Sequence, residues 1–78
     1  MNLDKLKAAF AEGLELPIES ITDDLSYNAV PQWDSFAHMV IIAAIEQAFD
    51  ILIETDDLIN MSSFLKAKEI VAKYGVVL

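Results

Sequence analysis

The chain contains no cysteine. That absence excludes a disulfide framework and, with only one histidine beside it, a structural zinc site. Stability must therefore come from apolar packing, consistent with a hydrophobic fraction of 55%. Length is also limited. The 78 residues leave room for one domain, expected over 1–78, near the lower end of what an unaided core holds together. Long apolar runs are missing: Phe36 to Ile45 is interrupted by His38 and is too short to span a bilayer, so no membrane partner is expected. The opening Met1-Asn2-Leu3-Asp4-Lys5 lacks the basic stretch and apolar run of a secretory leader, which makes the cytoplasm the expected location. There is no internal repeat and no low-complexity segment.

Basic side chains are scarce as well, with 5 lysines and arginines against 13 aspartates and glutamates and a net charge of −8. Their placement says more than their number. Between Lys7 and Lys66 lie eleven carboxylates and no basic residue. Such a block repels nucleic acid and anionic membranes and steers the domain toward partners with basic patches. A merely solubilising surface explains the net charge but not the segregation.

Leu3, Leu6, Phe10 and Leu14 recur at helical spacing, and the pattern predicts a helix over about 3–14 with Asn2 as its cap. Gly13 weakens its last turn, and Leu16-Pro17 marks the exit. Residues 15–34 hold two prolines and scattered Ile18, Ile21, Leu25 and Tyr27 without a period. They read as a long structured loop lying across the helices. Ile51-Leu52-Ile53 has no strand to pair with and reads as a buried connection. Thr55 with Asp56-Asp57 predicts the cap and acidic first turn of a short helix ending near Asn60-Met61. Ser62 or Ser63 then caps a last helix through Phe64, Leu65, Ile70, Val71 and Tyr74, which Gly75 stops. The expected fold is all-α, a small four-helix bundle with a long first loop and a short third helix.

The second helix, Ser35 to about Asp50, follows Trp33-Asp34-Ser35-Phe36 and has two apolar faces. Ile41, Ile42, Ile45 and Phe49 form the expected core side. Phe36, Met39, Val40 and Ala43 fall on the opposite side, where a surface helix is normally polar. Either the loop buries this second face or a partner does. Ser35 stands at the helix start, where first-turn N–H groups and the helix dipole favour a phosphate bonded to its hydroxyl. Serine there also serves commonly as nothing more than a cap. If Asp34 is the cap instead, Trp33 at N′ reaches His38 at N4 in a staple-like contact.

The motif Trp33-Asp34-Ser35-Phe36, the preceding Ile21-Thr22-Asp23-Asp24-Leu25, the Ile45-Glu46-Gln47-Ala48-Phe49-Asp50 stretch and the helix order together resemble the acyl carrier protein family over nearly the whole chain. In that family an Asp-Ser-Leu motif carries 4'-phosphopantetheine on the serine; here Phe36 replaces the leucine. The resemblance implies that Ser35 receives the arm from coenzyme A through a phosphopantetheinyl transferase of the holo-ACP synthase type. Asp34 would belong to the motif, helping to hold the metal ion and coenzyme A in that transferase. It further implies a monomeric carrier rather than an enzyme, which presents thioester-bound acyl groups to loading and processing enzymes with basic patches. Those enzymes would dock on Phe36, Met39, Val40, Ala43, Glu46, Asp50 and Met61, the last of which fits the core equally well. Carriers of bacterial fatty acid synthesis are rich in glutamate on this face, and Val40 stands where one would be. That departure weighs against fatty acid synthesis, which stays among the expected pathways beside polyketide, lipopolysaccharide and related specialised ones.

Asp34, Ser35 and His38 also suggest a hydrolytic triad. Adjacent helical residues point about 100° apart, which makes a serial carboxylate, imidazole and hydroxyl difficult, and no oxyanion-hole element is recognisable. His38 is expected to be a packing residue on the core side. The main alternative function is a non-covalent helical interaction domain that docks through the apolar face of the second helix, with Ser35 as a cap.

Overall fold

The computed structural model describes residues 2–78; Met1, the first residue of the segment read for a leader, lies outside them. Four helices follow in order: α1 (Asn2–Leu14), α2 (Ser35–Phe49), α3 (Thr55–Asn60) and α4 (Phe64–Lys73), with one 3₁₀ turn at Ile18–Ser20 in the first connection. Among the described residues there is no strand, only an isolated antiparallel bridge between Ser26 and Ser63. The described residues therefore form the small all-α bundle that the periodicity predicts. None of their helices is long and apolar enough to cross a membrane.

Three aromatic rings form the centre. Phe10 of α1 meets Trp33 edge-on at 5.4 Å and Phe64 of α4 edge-on at 5.1 Å, an arrangement that puts ring edges against π faces. Ile41, Ile42 and Ile45 of α2 close around them, with Phe49 only half-buried. The long loop contributes Ile21, Leu25 and Trp33 to this core and leaves Ile18 exposed. Its far half is tied to the α3–α4 junction by backbone bonds, Tyr27 N–H to Ser62 O at 2.8 Å and Phe64 N–H to Leu25 O at 2.9 Å.

Helix ends differ from the sequence expectation in instructive ways. Asn2 lies within α1 and does not cap it; its side-chain amide donates to Val77 O at 2.8 Å, because the returning C-terminal segment supplies an acceptor there. Gly75, at φ +89°, ends α4 as expected, with Val76 N–H reaching Val71 O. The same six-residue closure ends α1 and α2, where Leu16 N–H reaches Ala11 O and Ile51 N–H reaches Glu46 O. Glu15 and Asp50 take the left-handed conformation there, at φ 54° each, without glycine's freedom. Ser63, not Ser62, caps α4 by accepting Lys66 N–H. The connection Ile51-Leu52-Ile53 is loop, yet Leu52 is 83% exposed while Ile53 is buried.

Thr55 is the first residue of α3 rather than its cap, and Glu54 before it makes no side-chain cap. The missing function comes from α4. Tyr74 Oη accepts Glu54 N–H at 2.9 Å and donates to Asp57 Oδ2 at 2.6 Å, while Lys73 Nζ holds Asp57 Oδ1 at 2.6 Å. Asp57 is buried and keeps its charge because these two donors replace water. Helix α3, only 6 residues long, is too short to hold itself together in water. This clamp fixes it.

Gly13 weakens α1 locally but lets α2 approach. A Cβ on it would sit 2.6 Å from Ile41 Cγ1 and 3.3 Å from the Ile41 backbone nitrogen. Ile41 is fully buried and β-branched, so its side chain has little room to yield. Gly13→Ala, which in an exposed helix would stabilise, should here destabilise by about 1–3 kcal/mol, as overpacking does; urea unfolding would show it. The Asp57 clamp predicts a pH signature. Hydrogen bonds first from Lys73 and then from Tyr74 hold the Asp57 carboxyl below its ordinary range. Its stabilising effect is therefore present above the unfolded-state value, about 3.9, and is lost as pH falls through the lower folded value. The Asp57 hydrogen bond raises both Lys73 and Tyr74, so their contribution is lost only as pH rises through those raised values. Asp57→Asn should lower Tm at neutral pH more than Asp56→Asn, and the gap should close in the acid range below about pH 3.9.

Candidate functional site

Asp34 is the cap of α2. In extended conformation, its Oδ1 accepts Ala37 N–H at 2.9 Å, and its carbonyl accepts the first intrahelical bond from His38 N–H. Ser35 is thereby relieved of capping. It lies exposed in the first turn, and its Oγ is 3.0 Å from the Tyr27 hydroxyl. No carboxylate occupies the first turn of α2.

Behind Ser35 the predicted contact between Trp33 and His38 is present, and it is polar as well as apolar. Trp33 Nε1–H donates to His38 Nδ1 at 3.0 Å, and the two rings lie nearly parallel, 18° apart at 6.0 Å. Indole nitrogen is only a donor, so Nδ1 must be the bare nitrogen. The imidazole proton then sits on Nε2, which donates to Leu58 O of α3 at 2.8 Å. His38 is buried and fully employed, as expected of a packing residue. With Nδ1 turned to Trp33 and Nε2 to Leu58, neither ring nitrogen is left to act on the Ser35 hydroxyl, and the hydrolytic arrangement fails on geometry.

Between α2 and α3 a cavity of about 320 Å³ opens beside Ser35. Helix α2 lines it with Ser35, His38 and Met39, α3 and its exit with Leu58, Ile59, Met61 and Ser62, and the loop adds Tyr27. Its wall is mainly apolar, and among the described residues no lysine or arginine lines it. On the same side of the molecule Phe36 is 79%, Met39 52% and Ile59 67% exposed.

The second apolar face of α2 is thus not covered by the loop: Phe36, Met39 and Ala43 are exposed and Val40 is half-buried. Two expected docking residues are placed otherwise. Met61 is fully buried, because the chain turns from α3 into α4 over it, and it forms inner wall rather than surface. Glu46 is half-buried, and its Oε2 accepts Ile53 N–H at 2.9 Å, a bond needed where the connection leaves α2. Asp50 is exposed but also supplies the left-handed end of that helix. The acidic block is likewise partly used inside the fold, with Asp23 paired to Lys68 at 2.7 Å and Asp57 to Lys73. Among the described residues no group of histidine and carboxylate side chains could hold a metal ion.

Sequence reading missed Tyr27, which looked like one scattered apolar residue of the loop, and missed Leu58 and Ile59 as cavity walls. Nothing in their spacing marks them, because the path of the loop and the clamp on α3 bring them to Ser35. No family model, curated protein or solved structure matches the chain. The site therefore rests on its geometry. Trp33→Phe keeps a ring in the core but orphans His38 Nδ1, which should cost about 1–3 kcal/mol for the unsatisfied buried acceptor, measured by chemical denaturation. Amide exchange in α3 should quicken relative to α1, because Leu58 then hangs on an unanchored imidazole.

Proposed function

We propose that this protein is an acyl carrier, modified on Ser35 with 4'-phosphopantetheine and resembling the acyl carrier proteins in fold as well as motif. The carrying observation is that Ser35 exposes a hydroxyl with no capping duty, since Asp34 has taken it, on the rim of an apolar cavity. The residues present suit a phosphate-linked group. First-turn N–H groups favour the anion, and the one neighbouring carboxylate, Asp34, is already held by Ala37 N–H. In the modification, Ser35 Oγ forms a bond to the β-phosphorus of coenzyme A and the pyrophosphate P–O bond breaks. Adenosine 3',5'-bisphosphate leaves, and the hydroxyl proton passes to a base of the transferase. Once attached, the arm supplies the thiol that this cysteine-free chain lacks, and acyl groups ride on it as thioesters.

The chain's own part is presentation, not catalysis. Exposed Phe36, Met39 and Ala43 offer an apolar contact beside Ser35, and the exposed members of the acidic block steer enzymes with basic patches. Half-buried Val40, where a glutamate would stand in fatty acid synthesis, favours a polyketide, lipopolysaccharide or other specialised pathway. Such a carrier works as a cytoplasmic monomer. The exposure of Phe36 and Met39 also favours a second reading, a helical interaction domain that needs no modification. Ser35→Ala separates the two, since it removes the acceptor hydroxyl and leaves that face intact.

Incubation with coenzyme A, magnesium and a broad-specificity phosphopantetheinyl transferase should add one pantetheine adduct to the intact mass, absent from Ser35→Ala. No adduct under conditions that modify a known carrier would favour the interaction domain.

A further inference from the structure

Tyr27 has a hydroxyl that its packing does not require. Its ring is set edge-on to Trp33 at 6.2 Å and edge-on to His38 at 5.7 Å, and its backbone N–H is fixed on Ser62 O. Phenylalanine would satisfy all three contacts. The ring rests against the stacked pair of Trp33 and His38, and the phenol oxygen lies 3.0 Å from Ser35 Oγ at the cavity rim.

Few other donors are available there. The His38 Nε2–H is given to Leu58 O and the Trp33 Nε1–H to His38. No lysine lines the cavity, and of its hydroxyl-bearing residues, Tyr27, Ser35 and Ser62, Tyr27 is the one bonded to Ser35 Oγ.

We propose that Tyr27 is the positioning residue of the Ser35 site: its phenol orients the free hydroxyl and, after modification, donates its O–H to the phosphodiester. The inference rests on the carrier reading above. Before modification two hydroxyls share one neutral hydrogen bond. Afterwards Ser35 Oγ carries no hydrogen, the two non-bridging oxygens that share the single negative charge lie two bonds from it, and toward them the phenol can only donate. That bond is charge-assisted and roughly twice as strong as a neutral one. It restrains the first torsions of an otherwise freely rotating arm, so the direction in which the arm leaves α2 is set by the loop as well as by the helix.

The test uses phosphorus NMR on the full chain and on Tyr27→Phe, each converted with coenzyme A and the transferase until intact mass shows a single adduct. In the native state the Tyr27→Phe resonance should move away from the wild-type position, toward the common position both proteins take in urea, while Tm changes little. Coincident native resonances would overturn the proposal. If the variant does not fold, the wild-type protein decides alone. Its Tyr27 Cζ resonance should move on modification, while that of Tyr74, bonded to Asp57 and to Glu54 N–H, stays in place. A Tyr27 resonance unmoved by modification overturns the proposal. Failure of wild type to form any adduct overturns the carrier reading itself, whereas an adduct with an unaltered resonance overturns only the role of Tyr27.

Discussion

The hydrogen bond between Trp33 and His38 joins a residue with one donor to a residue whose two ring nitrogens must share one proton. Because the indole nitrogen only donates, the imidazole is left with its proton on Nε2, and that proton is spent on Leu58 O. One bond in the core thus determines the tautomer of a buried side chain, and the tautomer determines whether α3 is held against α2. The indole itself is fully buried and meets Phe10 edge-on. The same residue therefore anchors the long loop in the core, sets the angle at which the chain enters α2, and through His38 spaces the two helices that border the cavity.

A second constraint acts from the opposite end of α3. That helix is too short to persist by its own hydrogen bonds and has no side-chain cap of its own. Lys73 and Tyr74 hold Asp57, and Tyr74 also receives Glu54 N–H. Leu58 is bonded to His38 on one side, and its neighbour Asp57 to α4 on the other. The cavity wall is accordingly a borrowed structure, stable only through partners on α2 and α4. The width of the space beside Ser35 is thus set by bonds from α2 and α4 rather than by α3 itself.

Much of the fold was legible in the sequence because it follows from period. Leu6, Phe10 and Leu14 mark α1, Ile41, Ile42 and Ile45 the core side of α2, and Gly75 the end of α4. Legible too were Asp34 as a cap and the reach of Trp33 to His38, since N′ and N4 positions stand at a known spacing. What escaped was set by contacts distant in sequence. Asn2 is a cap by residue type but bonds to Val77, and the start of α3 that Thr55 marks is held instead by Tyr74, 20 residues beyond Glu54. Glu46 and Met61 are docking positions by family resemblance, with core as the equal alternative for Met61; Glu46 serves Ile53 N–H, and Met61 is fully buried. Tyr27 had no periodic neighbour at all. A candidate site assembled from a loop, a helix start and a clamped short helix offers the sequence reader only its helix start.

The division between Asp34 and Ser35 is where fold and function separate. Either residue type can cap a helix. Had serine taken that bond, its oxygen would be turned back onto the Ala37 N–H and its availability to an outside reagent would compete with the stability of α2. With the aspartate one position earlier accepting the Ala37 N–H, the serine moves into the first turn and its oxygen faces outward. The helix keeps its cap whatever becomes of the Ser35 hydroxyl. A chemical change at Ser35 is thus uncoupled from the bond that starts α2, and its consequences run instead to Tyr27 and the loop, which the hydroxyl does touch. If Ser35 is modified as proposed, that uncoupling would let a domain this small carry a bulky, charged group at a helix start without unfolding the helix that displays it.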